Sequence, residues 1–162
     1  MKKRQKLAMP RKAAEEIRRL SSAIAQSTDG IAISDLELKL TYVNDAFART
    51  HGYSPEEMIG MSIKQLHNDE RTEEFKKRIH KIKTKGIWKG EIGCLRKDGA
   101  SFPADMSLTL LKDVKGKPTG ILAVCRDIVE RKKVEEALRE SEEQFRDLSE
   151  NANDLIQRIG RD

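Results

Sequence analysis

From Phe102 to Leu110 apolar and polar side chains alternate without a break. Phe102, Ala104, Met106, Leu108 and Leu110 take one parity, and Pro103, Asp105, Ser107 and Thr109 take the other. A period of two places the apolar set on one face of a strand and the polar set on the opposite face. This is the pattern of a half-buried antiparallel strand, which needs strand neighbours and a cover for one face. Turn signals flank it on both sides. Lys97-Asp98-Gly99 is a hairpin turn, and before it Ile92 and Cys94 alternate with Glu91, Gly93 and Leu95. Asp113 to Pro118 is a second turn, followed by Gly120–Ile128, a nearly continuous apolar run expected to be covered on both faces.

The residues before this hairpin array are more mixed. Residues 11–28 read as a helix, with Ala13, Ile17, Leu20 and Ile24 on one stripe and Pro10 at its first position. Asp29-Gly30 breaks it. Two short strands, Ile31–Ser34 and Leu40–Asn44, follow around a polar connection. Asp45 to Leu66 is interrupted by Gly52, Pro55 and Gly60 and so holds only short helices. One starts at Ser54, with Pro55, Glu56 and Glu57 in its first turn. Asp69 to Lys85 has helical spacing at Phe75, Ile79 and Ile82, and Gly86 stops it. From Val129 a heptad seam appears: Val134, Leu138, Ser141, Phe145, Leu148, Ala152 and Leu155 are separated alternately by four and three positions, with Asn151 and Asn153 expected to end the helix. Two strands, then helices, then three strands make an α+β fold. Its antiparallel sheet has about five strands, with short helices on one face and amphipathic helices at both ends.

Charge narrows the function classes. The chain of 162 residues carries 32 Lys and Arg against 27 Asp and Glu, a net +5. Residues 1–19 hold eight basic side chains against Glu15 and Glu16, so the remainder is close to neutral. The basic character belongs to an N-terminal extension. It lacks the interleaved aromatics of a nucleic-acid arm, so no nucleic-acid partner is expected. No apolar run approaches the ~18–20 residues of a spanning helix, and no apolar stretch follows the basic start. A cytoplasmic setting is expected.

The residues in this order resemble the PAS sensory domain family. Ser27-Thr28-Asp29-Gly30-Ile31 with Asp35 resembles the family's first strand. Residues 42–47 (Tyr-Val-Asn-Asp-Ala-Phe) and 52–60 (Gly-Tyr-Ser-Pro-Glu-Glu-Met-Ile-Gly) resemble its second strand and short helices. Trp88-Lys89-Gly90-Glu91-Ile92, Arg96-Lys97-Asp98-Gly99 and Phe102-Pro103 resemble its hairpin. Residues 126–132 (Arg-Asp-Ile-Val-Glu-Arg-Lys) resemble the exit motif that leads into a signalling helix. Residues 144–156 parallel residues 23–31, so they resemble the start of a second such domain, and the chain is expected to be a piece of a longer sensor. The expected divisions are a basic extension (1–19), the PAS domain (20–128), a linker helix (129–150) and the beginning of a second domain (151–162).

No phosphate loop or HExxH motif is present, and the chain is not expected to be an enzyme. His51, His67 and His80 have no spacing that ties them to Cys94 or Cys125. The two cysteines are too far apart in sequence to suggest a disulfide framework or zinc site and read as small buried hydrophobes. No metal is therefore expected. The resemblance bears on cofactors. Light-sensing relatives carry their adduct cysteine in the helical region, and residues 45–85 contain none. Haem-binding relatives carry a histidine that would fall near Glu73, so His80 reads as a solvent-side or internally satisfied histidine and haem is not expected. Some flavin-binding relatives have a tryptophan where Trp88 stands; simple edge packing is the other reading. Asn44 is either a local cap or a ligand contact. The candidate pocket wall is Ile33, Val43, Phe47, Met58, Ile63, Leu66, Phe75, Ile79, Ile92, Cys94, Phe102 and Met106. It would enclose a small apolar or aromatic ligand or close on itself.

The resemblance implies a sensory and dimerisation module of a larger signalling protein, with a kinase or cyclase as its downstream output. Asp127 would fix the exit of the last helix by pairing with Arg96 or Lys97. Ile17, Leu20, Ile24, Val134, Leu138, Phe145 and Leu148 would form the seam of a parallel homodimer, with the N-terminal helix against the outer sheet face. The alternative is a receptor whose primary role is to bind a small ligand or flavin.

Overall fold

The computed structural model describes residues 11–68 and 72–159, the side chains of 152–159 excepted. Pro10 and most of the basic extension, Asp69, and the side chains of Ala152 and Leu155 lie outside that description. The elements follow in the order α1 (Arg11–Ala25), β1 (Gly30–Ser34), β2 (Leu40–Val43), α2 (Asp45–His51), α3 (Pro55–Met58), a 3-10 turn (Ile63–Leu66), α4 (Glu73–Lys85), β3 (Ile87–Leu95), β4 (Ser101–Lys112), β5 (Pro118–Asp127) and α5 (Val129–Ile159). Contacts divide the chain into a unit ending at Asp127 and a second beginning at Ile128.

The five strands form one antiparallel sheet in the order β2-β1-β5-β4-β3. The hairpins β3–β4 and β4–β5 follow from their turns. The β1–β5 pairing does not, because it sets Gly30 opposite Cys125 and Ser34 opposite Ile121. Along β4 the inward residues Phe102, Ala104, Met106, Leu108 and Leu110 are all buried, as their alternation requires. Across the inner face lie α2, α3, the 3-10 turn and α4, which contribute Phe47, Met58, Leu66, Phe75 and Ile82 to the core.

Local chemistry explains the short helices. Ser54 caps α3 in a reciprocal box: its hydroxyl accepts from Glu57 N at 3.3 Å, and its own N–H donates to Glu57 Oε2 at 2.9 Å. Thr72 caps α4, and Gly86 ends it in a left-handed conformation that a side chain would strain.

Four expectations change. Helix α1 ends at Ala25 rather than 28. Strand β5 is not fully covered on both faces: Leu122 and Val124, on the face opposite the cavity, are only half-buried. The N-terminal helix does not take that place, because none of its residues is buried. Asn151 and Asn153 do not stop α5, which continues to Ile159. Two residues of modest helix propensity are tolerated inside a helix this long.

Gly120 marks the tightest backbone approach in the sheet. A Cβ there would stand 2.3 Å from the Ser34 carbonyl oxygen, which is backbone and has little room to move. Gly120→Ala is expected to destabilise the fold by about 1–3 kcal/mol, read as a lower urea midpoint at unchanged slope.

Candidate functional site

The concave face of the sheet and the helices above it enclose a small cavity. Ala32, Ser34, Leu40, Leu108, Ile121 and Ala123 supply its sheet wall, together with Met106. Phe47 and His51 from α2, Ile63 and Leu66 from the 3-10 turn, His67, and Phe75, Arg78, Ile79 and Ile82 from α4 complete it. Its free volume is about 30 Å³, room for one or two waters. The side chains thus close largely on one another.

Six of the expected wall residues line this space: Phe47, Ile63, Leu66, Phe75, Ile79 and Met106. Others are placed elsewhere. Ile33 lies on the opposite sheet face, in a row with Tyr42 and Leu122, because Ala32 and Ser34 take the inward parity of β1. Val43, Met58, Ile92, Cys94 and Phe102 are buried in the core but do not line the cavity. Asn44 is a structural tie. Its Oδ1 accepts from Ile31 N at 2.8 Å and Phe47 N at 2.9 Å, and its Nδ2 donates to the carbonyls of Ile24 and Asp29 at 3.0 Å each. All its hydrogen-bonding capacity holds the end of α1, the start of β1 and the start of α2 together.

Trp88 stands outside the cavity at the edge strand. Its indole lies over Gly90, where a Cβ would come within 2.8 Å of the ring. The Arg78 guanidinium sits 5.4 Å from that ring and 5.2 Å from the Phe75 ring. Arg78 is the least expected wall residue, a cation only 6% exposed. Its alkyl stem continues the apolar face of α4, and its head is held between two aromatic faces. Its spacing of three from Phe75 was the available signal. Arg78→Ala is expected to cost about 1–2 kcal/mol and to red-shift the emission of Trp88, the only tryptophan in the chain.

The exit of the sheet is held by two ion pairs. Arg96 Nη2 meets Asp127 Oδ2 at 2.6 Å, and Arg96 Nη1 also donates to the Thr50 carbonyl in the last turn of α2. The same guanidinium lies 4.1 Å above the Phe102 ring. Lys97 takes a different partner, Glu57 of α3, at 2.5 Å. One residue before Asp127, Arg126 grips both oxygens of Asp29 at 2.9 and 2.7 Å. That hydrogen-bonded guanidinium holds the Asp29 carboxyl below its ordinary range. Sequence reading missed this pair because its members stand at opposite ends of the domain.

The histidines and cysteines are also redistributed. His80 is exposed on α4, and His67 follows the 3-10 turn and bridges to Cys94. His51 is fully buried. Its Nδ1–H donates to the Phe47 carbonyl at 2.9 Å, and its Nε2 is the one buried side-chain nitrogen or oxygen among the described residues without a hydrogen-bond partner. Such a group ordinarily costs about 1–3 kcal/mol. Despite their distance in sequence, Cys94 and Cys125 offer sulfurs that lie within 4.8 Å of each other and of a His51 ring nitrogen. A hydrogen bond from Cys125, then His51 and His67 nearby, pulls the Cys94 thiol below its ordinary range against the effect of burial. The same bond and burial push Cys125 up.

Helix α5 leaves its seam uncovered: Val134, Leu138, Phe145 and Leu148 are 59–73% exposed. On α1, Ile17, Leu20 and Ile24 are exposed as well. Among the described residues no helix is long and apolar enough to cross a membrane.

Comparison with known proteins agrees with this architecture. The chain is 26% identical over 136 residues to the sensor histidine kinase TmoS of Ectopseudomonas mendocina, covering 83% of this chain and 14% of that protein. It is 35% identical over 111 residues to the methyl sulfide methyltransferase-associated sensor of Methanosarcina acetivorans, covering 68% of this chain and 10% of that one. The chain therefore spans only a small part of the length of these relatives. Among solved structures, the PAS domain of a protein from Colwellia psychrerythraea superposes with a TM-score of 0.66 at 27% identity, covering 71% of this chain and 98% of that one. The PAS domain family matches residues 28–130, from just before β1 into the first turn of α5. With the five-stranded sheet, the short-helix face and more than half of the chain inside that match, the protein belongs to the PAS domain family and is a sensory domain of the kind found in sensor kinases and regulators.

Proposed function

We propose that the chain is the sensing and dimerisation module of a larger signalling protein, has no catalysis of its own, and works on a kinase or cyclase output. The exposed seam of α5 carries this reading. A 31-residue helix with Val134, Leu138, Phe145 and Leu148 on a heptad seam interrupted by the polar Ser141 leaves that apolar stripe in water, and a second copy in parallel would cover it. The stripe on α1 would pair in the same way.

The proposed signal route runs through packed contacts. Phe47 and His51 line the cavity from α2, and the Thr50 carbonyl of the same helix binds Arg96. Arg96 pairs with Asp127, the last residue of β5. A shift of α2 would then be felt at the residue that launches α5. A two-state junction of this kind is sufficient for transfer. The cavity's small free volume supports a transducer over a flavin receptor, since an isoalloxazine ring needs a far larger opening.

Leu138→Glu and Leu148→Glu are each expected to convert dimers into monomers in sedimentation velocity, with an unchanged β-sheet signal. Dimers persisting in both variants would remove the seam as the interface. Arg96→Ala is expected to cost about 1 kcal/mol, because the pair is about one-third exposed. It should also raise amide hydrogen exchange in the first turn of α5. Unchanged exchange there would break the proposed route.

A further inference from the structure

Three donor atoms, two on the inner face of the sheet and one on α2 above it, take no part in the exit contacts. His51 is 0% exposed, Cys94 0% and Cys125 2%. Cys94 lies on β3 and Cys125 on β5, with β4 between them and the small Ala104 facing inward. His51 arrives from the end of α2. Among the described residues this is the one cluster of three His, Cys, Asp or Glu side chains close enough to share an ion.

Two simpler roles fit poorly. A disulfide needs Cα atoms within about 7 Å, whereas strands two apart in a sheet are separated by about 9.5 Å. Plain apolar packing explains the cysteines but not His51. Its Nδ1–H is committed to the Phe47 carbonyl, which fixes the tautomer and leaves Nε2 as a bare lone pair with no partner. The ring is clamped between Phe47, with centroids 4.3 Å apart, and Phe102, at 5.3 Å. A backbone carbonyl on one ring nitrogen, with the other left free, is the support that metal-binding histidines have.

We propose that His51, Cys94 and Cys125 form a buried site for one thiophilic d10 cation, Zn(II) or Cu(I). Thiolate and imidazole donors select such ions. Bonds of about 2.3 Å to sulfur and about 2.0–2.1 Å to nitrogen require donors roughly 3.5–4 Å apart. The present span of up to 4.8 Å would have to shorten by about 1 Å for the three donors to share an ion. Zn(II) with two thiolates is neutral, which suits a site without water. His67, whose Nδ1 is 3.9 Å from Cys94 Sγ, stands outside the three-donor cluster and would have to swing inward to give Zn(II) a fourth ligand. Cu(I) is satisfied by three donors. His51 and His67 also line the cavity beside the cluster.

The test is anaerobic titration of the purified, reduced chain with Zn(II) and separately with Cu(I), followed by X-ray absorption at the metal edge. One equivalent of either ion, with two sulfur neighbours at about 2.3 Å, is expected. His51→Ala and Cys125→Ser should each weaken binding tenfold or more, and His67→Ala should weaken Zn(II) more than Cu(I). No saturable equivalent of either ion would overturn the proposal. So would a first shell of oxygen and nitrogen alone, or a Cys94–Cys125 disulfide in the purified protein. The absorption count is made on the wild-type chain and does not depend on any variant folding.

Discussion

The pairing of β1 with β5 is the constraint on which the rest of this domain rests. It joins the first strand to the last, with Gly30 opposite Cys125 and Ala32 opposite Ala123. Closing so long a loop is entropically costly and slow, so the contacts made on closure must hold it. Several do. Asp29 and Arg126 clasp beside the junction, and Asn44 ties β1 to α2. Gly30 has to be small, because a Cβ there would come within 2.9 Å of the Phe47 Cα. That close approach seats α2 directly on the inner face of the sheet.

Once α2 is seated, it meets the cavity, the two cysteines and the exit of the sheet. Phe47 and His51 wall the cavity, His51 approaches the two cysteines, and the Thr50 carbonyl holds Arg96. Arg96 in turn binds Asp127 and covers the Phe102 ring. The cavity wall and the Arg96 contact are thus both carried by one seven-residue helix. The helix is also well fixed, capped by Asn44 at one end and by the left-handed Gly52 at the other. It would move as a unit.

The site was legible in the sequence only where periodicity and burial coincide. Phe75 and Ile79 were found because α4 has one apolar stripe, and Met106 because β4 alternates cleanly. In β1 the same reasoning pointed the wrong way. Ile31 and Ile33 are its most apolar residues, yet they take the outer parity, while Ala32 and Ser34 face the cavity. Hydrophobicity marks a covered face, and both faces of this sheet carry apolar residues. For Trp88 the motif left a pocket and simple edge packing both open, and the contacts with Arg78 and Gly90 hold its ring at the edge.

Local sequence determined the elements themselves. The strict alternation over 102–110, the turn residues at 97–99 and 113–118, the Ser54 cap and the Gly86 stop each act within a few residues, so each could be read directly. The heptad seam of α5 was likewise visible, though not the length of the helix that bears it. Tertiary structure decided which distant residues meet. Asp29 with Arg126, Arg96 with Thr50, and His51 with Cys94 and Cys125 are all brought together by strand order and by the close seating of α2. Such contacts carry no periodic or short-range signal, because their separation along the chain is set by the connections between elements and not by the geometry of any one element.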